Sequence, residues 1–320
     1  MNILEIKNLN LSFTSGGNTY QALHNINLSL KKGEMLALVG ESGCGKTITA
    51  MSILRLLAPN AKITSGEIIY NNKNLLSLPE KEMQNIRGKE IALIPQDPMT
   101  SLNPLYTIGS QIVEIIEQHQ HLKGDEAKKV AIEVLEQVKI PNAKERLNAY
   151  PHEFSGGMRQ RVIIAMAIAC KSKIIIADEP TTALDVTVQA QIMELLKEIQ
   201  NESATSFIFI SHDFGLVYEA ADKTTVMYAG NIVENSNSKE IFKNPKHPYT
   251  KALIKALPNF NSTKLEAIDG QPPSIKDSFL GCPFEPRCKS RRAICKTQFP
   301  DCTNIENSNV CCWLYKQYNV

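Results

Sequence analysis

Along the first 235 residues, short apolar stretches alternate with amphipathic ones. Leu4 to Phe13, Met35 to Val39, Glu67 to Asn71, Ile91 to Pro95, Lys173 to Asp178, Ser206 to Ser211 and Thr224 to Tyr228 are short and rich in Ile, Val or Phe. Several are almost unbroken apolar runs, the pattern of strands buried on both faces of an α/β sheet. Between them, Ile108, Ile112, Val113, Ile115 and Ile116 recur at helical spacing, and a second amphipathic stretch, 127–139, stops before Pro141. No strand pattern is evident from 97 to 154, which predicts a helical insert between two halves of a sheet domain. After about residue 236 strand signals stop and prolines recur, from Pro245 and Pro248 to Pro286 and Pro300. A boundary is expected at 258, with 259–320 as a small extension.

Composition narrows the possibilities. A formal net charge of +2 over 320 residues gives no argument for a nucleic-acid partner. The longest apolar run, Val162 to Cys170, is far short of the roughly 20 residues a bilayer span needs, so no crossing is expected. The first residues, with Glu5 and Lys7, have no apolar core of the signal-peptide kind, and a cytoplasmic location is expected. Cys44 and Cys170 stand alone, whereas Cys282, Cys288, Cys295, Cys302, Cys311 and Cys312 crowd the C-terminal end. In a reducing compartment such a group reads as a metal site sooner than as disulfides.

Three motifs carry chemistry. Gly40, Glu41, Ser42, Gly43, Cys44, Gly45, Lys46 and Thr47 fit G-x-x-x-x-G-K-[ST] between an apolar strand and a helix-like stretch. Backbone N–H groups of such a loop surround phosphate oxygens, the lysine neutralises them and the threonine hydroxyl reaches Mg²⁺. A glycine-rich turn with a solvated lysine would not need all four fixed positions and both flanks. Cys44 holds a free position and reads as a spacer. A second apolar strand ends in Asp178 and Glu179, where an open α/β sheet faces its ligand. Asp178 suits Mg²⁺ and Glu179 a base that orients water. Third, Ser155 is placed to cap the helix that follows, with Gly156 and Gly157 leaving its N-terminus bare.

Together these residues resemble the ATPase subunits of ABC transporters over about 1–258. Ser155, Gly156, Gly157 and Met158 look like the signature sequence, read in trans by a second subunit. It has Phe154 and Met158 where Leu and Gln are commonest, and Ser155 and both glycines are kept. Gln96 lies where the family's Q-loop glutamine lies, Asp185 belongs to a D-loop-like stretch and His212 sits at the switch histidine. The resemblance implies a P-loop NTPase of ABC ATPase type, α/β with a helical subdomain (about 97–154) and a C-terminal cysteine-rich extension. It implies ATP held by the phosphate loop, with Phe13 (Tyr20 less well) stacking on adenine. It also implies Mg²⁺ held through Thr47, Gln96 and Asp178.

The stretch Gln96 to Pro104, the run Asn244 to Thr250, Gly270 to Pro273 and Gly281 to Cys312 narrow the resemblance to the dipeptide, oligopeptide and nickel importer ATPases. Cys282, Cys288, Cys295 and Cys312 are spaced C-x₅-C-x₆-C-x₁₆-C, without the close pairs usual for zinc. Zinc and uncoordinated thiols stay open on spacing alone. Family resemblance implies a [4Fe–4S] cluster on those four, with Cys302 outside the pattern. With the phosphate loop placed in another domain, ATP binding is expected to survive loss of the cysteines. The resemblance further implies a heterodimer with a homologous second ATPase. Two membrane permeases and an extracytoplasmic binding protein would complete the assembly, at the cytoplasmic face of the cell membrane. The cargo would be peptides, or nickel or metal chelates. The alternative, a soluble ABC ATPase in translation or DNA repair, usually has two ATPase domains or a long coiled coil. A kinase with a similar loop would need neither the signature nor the acidic pair.

Overall fold

The computed structural model describes residues 1–182, 184–257 and 268–316, so the expected boundary at 258 and Ala183 of the D-loop lie outside the described residues. In chain order, β1 (Asn2–Ser15), β2 (Asn18–Lys31) and β3 (Met35–Val39) precede α1 (Lys46–Leu54). There follow β4 (Ala61–Tyr70), β5 (Lys73–Asn74), α2 (Glu80–Ile86) and β6 (Ile91–Ile94). The helices α3 (Pro98–Ser101), α4 (Ile108–Gln120), α5 (Asp125–Gln137), α6 (Ala143–Arg146) and α7 (Gly156–Ala169) come next. Then come β7 (Ile174–Asp178), α8 (Val186–Ser203), β8 (Ser206–Ile210), α9 (Phe214–Ala220) and β9 (Lys223–Tyr228). The chain closes with β10 (Asn231–Asn237), α10 (Ser238–Lys243), α11 (Pro248–Lys255), β11 (Thr303–Ile305) and β12 (Ser308–Val310).

Two compact units result. One holds 1–31, 35–77 and the described residues from 211 on. Its antiparallel sheet β2–β1–β4–β5 has Leu4, Ile6, Leu9 and Leu11 buried against Ile26, Leu28 and Leu30. Asn25, Asn27 and Ser29 alternate with the apolar set, the period-2 pattern of a half-buried strand. A second group in this unit pairs β3 parallel to β9, then β9, β10, β12 and β11 antiparallel. The other unit, 32–34 and 78–210, pairs β6, β7 and β8 in parallel. Every residue of β7 and β8 is buried, as expected of their unbroken apolar runs. The stretch from β6 to β7 is helical wherever it is regular, with Ile108, Ile112 and Ile116 of α4 inside.

Two features depart from expectation. β2, the short β5 and β10 have no counterpart in the elements read from the sequence. Strands also do not stop after 236, because Thr303 to Ile305 and Ser308 to Val310 form a hairpin that extends β10 at Glu234, Asn235 and Ser236.

Candidate functional site

The loop from Gly40 to Thr47 joins β3 to α1. Gly40 has φ +149°, and a Cβ there would lie 2.2 Å from the Met227 carbonyl oxygen, so no side chain fits. Lys46 is 5 % exposed, and its Nζ donates to the Gly40 and Glu41 carbonyls at 2.8 and 3.0 Å. α1 opens on Gly45, which has no side chain to cap it, and Thr47 of its first turn is exposed. Cys44 is buried with its Sγ 3.8 Å from Lys46 Nζ, and burial pushes its thiol pKa up. A neutral, enclosed thiol is a poor nucleophile, in keeping with a spacer.

Glu41 occupies a free position of the motif, yet both its backbone and its carboxylate are held. Its backbone N–H donates to Tyr249 Oη at 2.9 Å. Arg287 Nη1 and Nη2 donate to its two carboxylate oxygens at 2.7 and 2.9 Å. Arg287 also donates to Tyr228 Oη at 3.2 Å and, through Nε, to the Asp269 carbonyl at 2.9 Å. Phosphate loop and extension belong to one compact unit and meet in a bidentate ion pair. Sequence reasoning missed Arg287, Tyr249 and Tyr228, since no local pattern ties residue 41 to a partner 246 positions on.

In the other unit, β7 ends in buried Asp178, and Glu179 takes a left-handed backbone, φ +46°. That conformation is unfavourable for a residue with a side chain. It swings the Glu179 carboxylate off the strand line, where Oε2 accepts from Gln96 Nε2 at 2.9 Å and Thr182 Oγ1 at 3.0 Å. Ser155 caps α7 as expected, its Oγ accepting from Met158 N at 3.3 Å. Gly157 has a packing reason as well, because a Cβ there would meet Val188 Cγ1 of α8 at 2.7 Å. Asp185 caps α8 through Val188 N at 3.0 Å. Exposed His212 precedes α9, which Asp213 caps. Phe13 and Tyr20 are half-buried cross-strand partners of β1 and β2. Lys46, Thr47, Phe13 and His212 thus lie in one unit, and Gln96, Ser155, Asp178, Glu179 and Asp185 in the other.

The cysteines divide. Cys302 and Cys311, continuing the β11–β12 hairpin, form a disulfide, which corrects the reading of the whole C-terminal group as a metal site sooner than disulfides. Hairpin register places them opposite each other, just beyond the pair Thr303 and Val310. Cys282, Cys288, Cys295 and Cys312 are free, half-buried and line one cavity with His247, Phe284 and Trp313. Burial pushes the Cys282 thiol up to about 12 and Cys312 to about 11, and it raises Cys288. Among the described residues no three His, Cys, Asp or Glu side chains come together to hold a metal ion.

Residues 23–182, half of the chain, match the family model described as ABC transporter. The chain belongs to the ABC transporter family. Residues 233–295 match a second model, the C-terminal region of oligopeptide/dipeptide transporters. The chain is 49% identical over 319 residues to the dipeptide transport ATP-binding protein DppD of Bacillus subtilis (strain 168), covering 98% of this chain and 95% of that one. It is also 49% identical over 317 residues to the oligopeptide transport ATP-binding protein OppD of the same organism, covering 98% and 88%. Among solved structures, the dimeric structure of MJ0796, a bacterial ABC transporter cassette, is similar at 30% identity and TM-score 0.66, over 73% of this chain and 98% of that chain.

The fold is thus that of an ABC ATPase cassette, and the chain is an ATP-hydrolysing transport enzyme of the ABC family. No helix among the described residues is long and apolar enough to cross a membrane.

Proposed function

We propose that this chain energises peptide uptake as one ATPase of an importer, bound peripherally to permeases at the cytoplasmic face of the membrane. The observation that carries the reading is the coverage of 233–295 by the oligopeptide/dipeptide transporter C-terminal region, alongside near-full-length identity to DppD and OppD. A soluble ABC ATPase of translation or repair would have no use for that region. The importer is completed by a homologous second ATPase, two permeases and an extracytoplasmic binding protein. Nickel or metal chelates are the other cargo class.

Each site residue has a role that its chemistry suits. Lys46 neutralises the phosphates of ATP, and Gly40, Glu41, Ser42, Gly43, Cys44 and Gly45 supply the loop around them. Phe13 stacks on adenine. Glu179 takes the proton of the attacking water as its oxygen bonds to the γ-phosphorus and the bond to the β-phosphate breaks. His212 senses the γ-phosphate. Ser155, Gly156, Gly157 and Met158 close a second subunit's site, and Asp185 faces that subunit. Thr47, Gln96 and Asp178 would hold Mg²⁺. A hydroxyl, an amide oxygen and a carboxylate are the hard oxygen donors this ion takes. Bound, it neutralises charge developing on the phosphate oxygens. Gln96 gives its nitrogen to Glu179, so its oxygen is the end that serves the metal.

The free cysteines suit a [4Fe–4S] cluster by identity and by convergence on one cavity. Their spacing lacks the close C-x₂₋₄-C pairs usual for a single zinc ion. A cluster would supply positive charge to thiols that burial otherwise keeps protonated.

The test is reconstitution of the chain with the paired ATPase, permeases and binding protein in liposomes. Peptide should stimulate ATP hydrolysis and accumulate inside. Stimulation by nickel and not by peptide would move the cargo assignment. Full activity without permeases would overturn the importer reading.

A further inference from the structure

The extension grips the phosphate loop at one point. Arg287 uses its guanidinium fork on both oxygens of Glu41, the strongest pairing geometry these side chains have. The Arg287 side chain is 6 % exposed and that of Glu41 23 %, so solvent screens the pair little. The fork is anchored from behind by the Asp269 carbonyl and Tyr228 Oη. On the loop side, the Glu41 N–H is held by Tyr249 Oη and its carbonyl receives Lys46 Nζ. One residue therefore joins the clamp to the lysine.

The other end of the clamp lies in the cysteine turn. Glu285 N donates to the Cys282 carbonyl, Arg287 N to Phe284 and Cys288 N to Glu285, at 2.9 to 3.1 Å. Arg287 is thus fixed inside a tight turn bounded by Cys282 and Cys288. Phe284 of that turn packs against Tyr228 and Tyr249, each 5.3 Å between ring centroids. Whatever draws Cys282 and Cys288 together sets where the guanidinium sits.

We propose that Arg287 is a positioning residue for nucleotide: by clamping Glu41 it fixes the front of the phosphate loop, and it makes ATP affinity depend on the state of the cysteine-bearing turn. The inference rests on the phosphate loop binding ATP as read above. A merely structural ion pair would fasten the extension to the unit without touching nucleotide affinity.

The experiment uses the full chain and a fluorescent ATP analogue as probe. Thermal midpoints are measured alongside, and KM and kcat for ATP in the assembled importer. Arg287→Gln should weaken the probe by about tenfold, and Glu41→Gln by a similar factor, with the double variant no worse than either. In the importer the loss should appear in KM, with kcat within about twofold. Arg287→Lys, which keeps the charge but not the fork, should recover part of the affinity. Cys288→Ser should weaken the probe in the natural chain and add nothing in the Arg287→Gln background. Lys46→Ala separates the two readings: if it leaves probe binding intact, the phosphate-loop reading fails. If it abolishes binding while Arg287→Gln only lowers the thermal midpoint, the positioning role alone is overturned. Should Arg287→Gln not fold, Glu41→Gln and Arg287→Lys decide, and unchanged affinity in both overturns the proposal.

Discussion

Gln96 donates a hydrogen bond to Glu179 at 2.9 Å across 83 positions of sequence. With Thr182 on the same oxygen and a left-handed backbone beneath, the carboxylate is aimed before any substrate arrives. Preorganisation of a base costs nothing at the moment of reaction. Glu179→Gln keeps the shape and removes the carboxylate proposed as proton acceptor. Turnover of the assembled complex should fall by about 10² to 10⁴. ATP binding by filtration should persist, with the two ATPases locked together. Wild-type turnover in that variant would exclude Glu179 as the base.

Ser155 caps the N-terminus of α7, and a bulky cation there would block what the proposed signature presents to a second subunit's site. Ser155→Arg, assembled with an unaltered partner ATPase, should lower hydrolysis at the partner's site more than at its own. Site-specific trapping of nucleotide in the two subunits measures this. Equal loss at both, or greater loss at its own site, would overturn the reading of Ser155 as acting in trans.

Protein purified without air should be brown and carry about four iron and four sulfide per chain if the cluster is bound. Changing Cys282, Cys288, Cys295 or Cys312 to Ser should remove most of both. Cys302→Ser should not, since its sulfur belongs to the hairpin disulfide. Iron analysis of the five variants gives the answer, and one bound zinc in place of iron would reverse the assignment.

His247 is 1 % exposed and caps α11, its Nδ1 accepting from Tyr249 N at 3.1 Å. Burial lowers its pKa to about 3, against about 6.5 when unfolded. The unfolded chain therefore binds the extra proton between those values, so this contribution is full above about pH 6.5 and lost as pH falls toward 3. From pH 7 to 5 the loss is about 2 kcal/mol. His247→Asn keeps a capping oxygen and should flatten the fall, read from urea midpoints at the two pH values. An unchanged slope would mean that other groups carry the acid sensitivity.

Legibility in the sequence followed the length and regularity of each signal. β3, β7 and β8 are unbroken apolar runs and could be read directly. β2 is a sound period-2 strand from Ile26 to Leu30, but the interleaved asparagines and His24 make it read as polar loop. β11 and β12 have three residues each, too few for any period. Lys46, Asp178, Glu179 and Ser155 could be singled out because their motifs are local, and Gln96 only through the family resemblance. Arg287 did not, because its partner is set by packing. The pairing of Cys302 with Cys311 likewise follows from hairpin register, which composition cannot supply.

The small hairpin has a consequence for anyone shortening this chain. β12 covers the backbone of β10 at Glu234, Asn235 and Ser236, and Ser236 Oγ donates to the Asn307 carbonyl at 2.7 Å. A chain ended before Thr303 would leave that row of amide and carbonyl groups open to any passing strand. Such a truncation should self-associate even with its phosphate loop untouched, so precipitation after trimming would report a bared sheet edge and not a damaged nucleotide site.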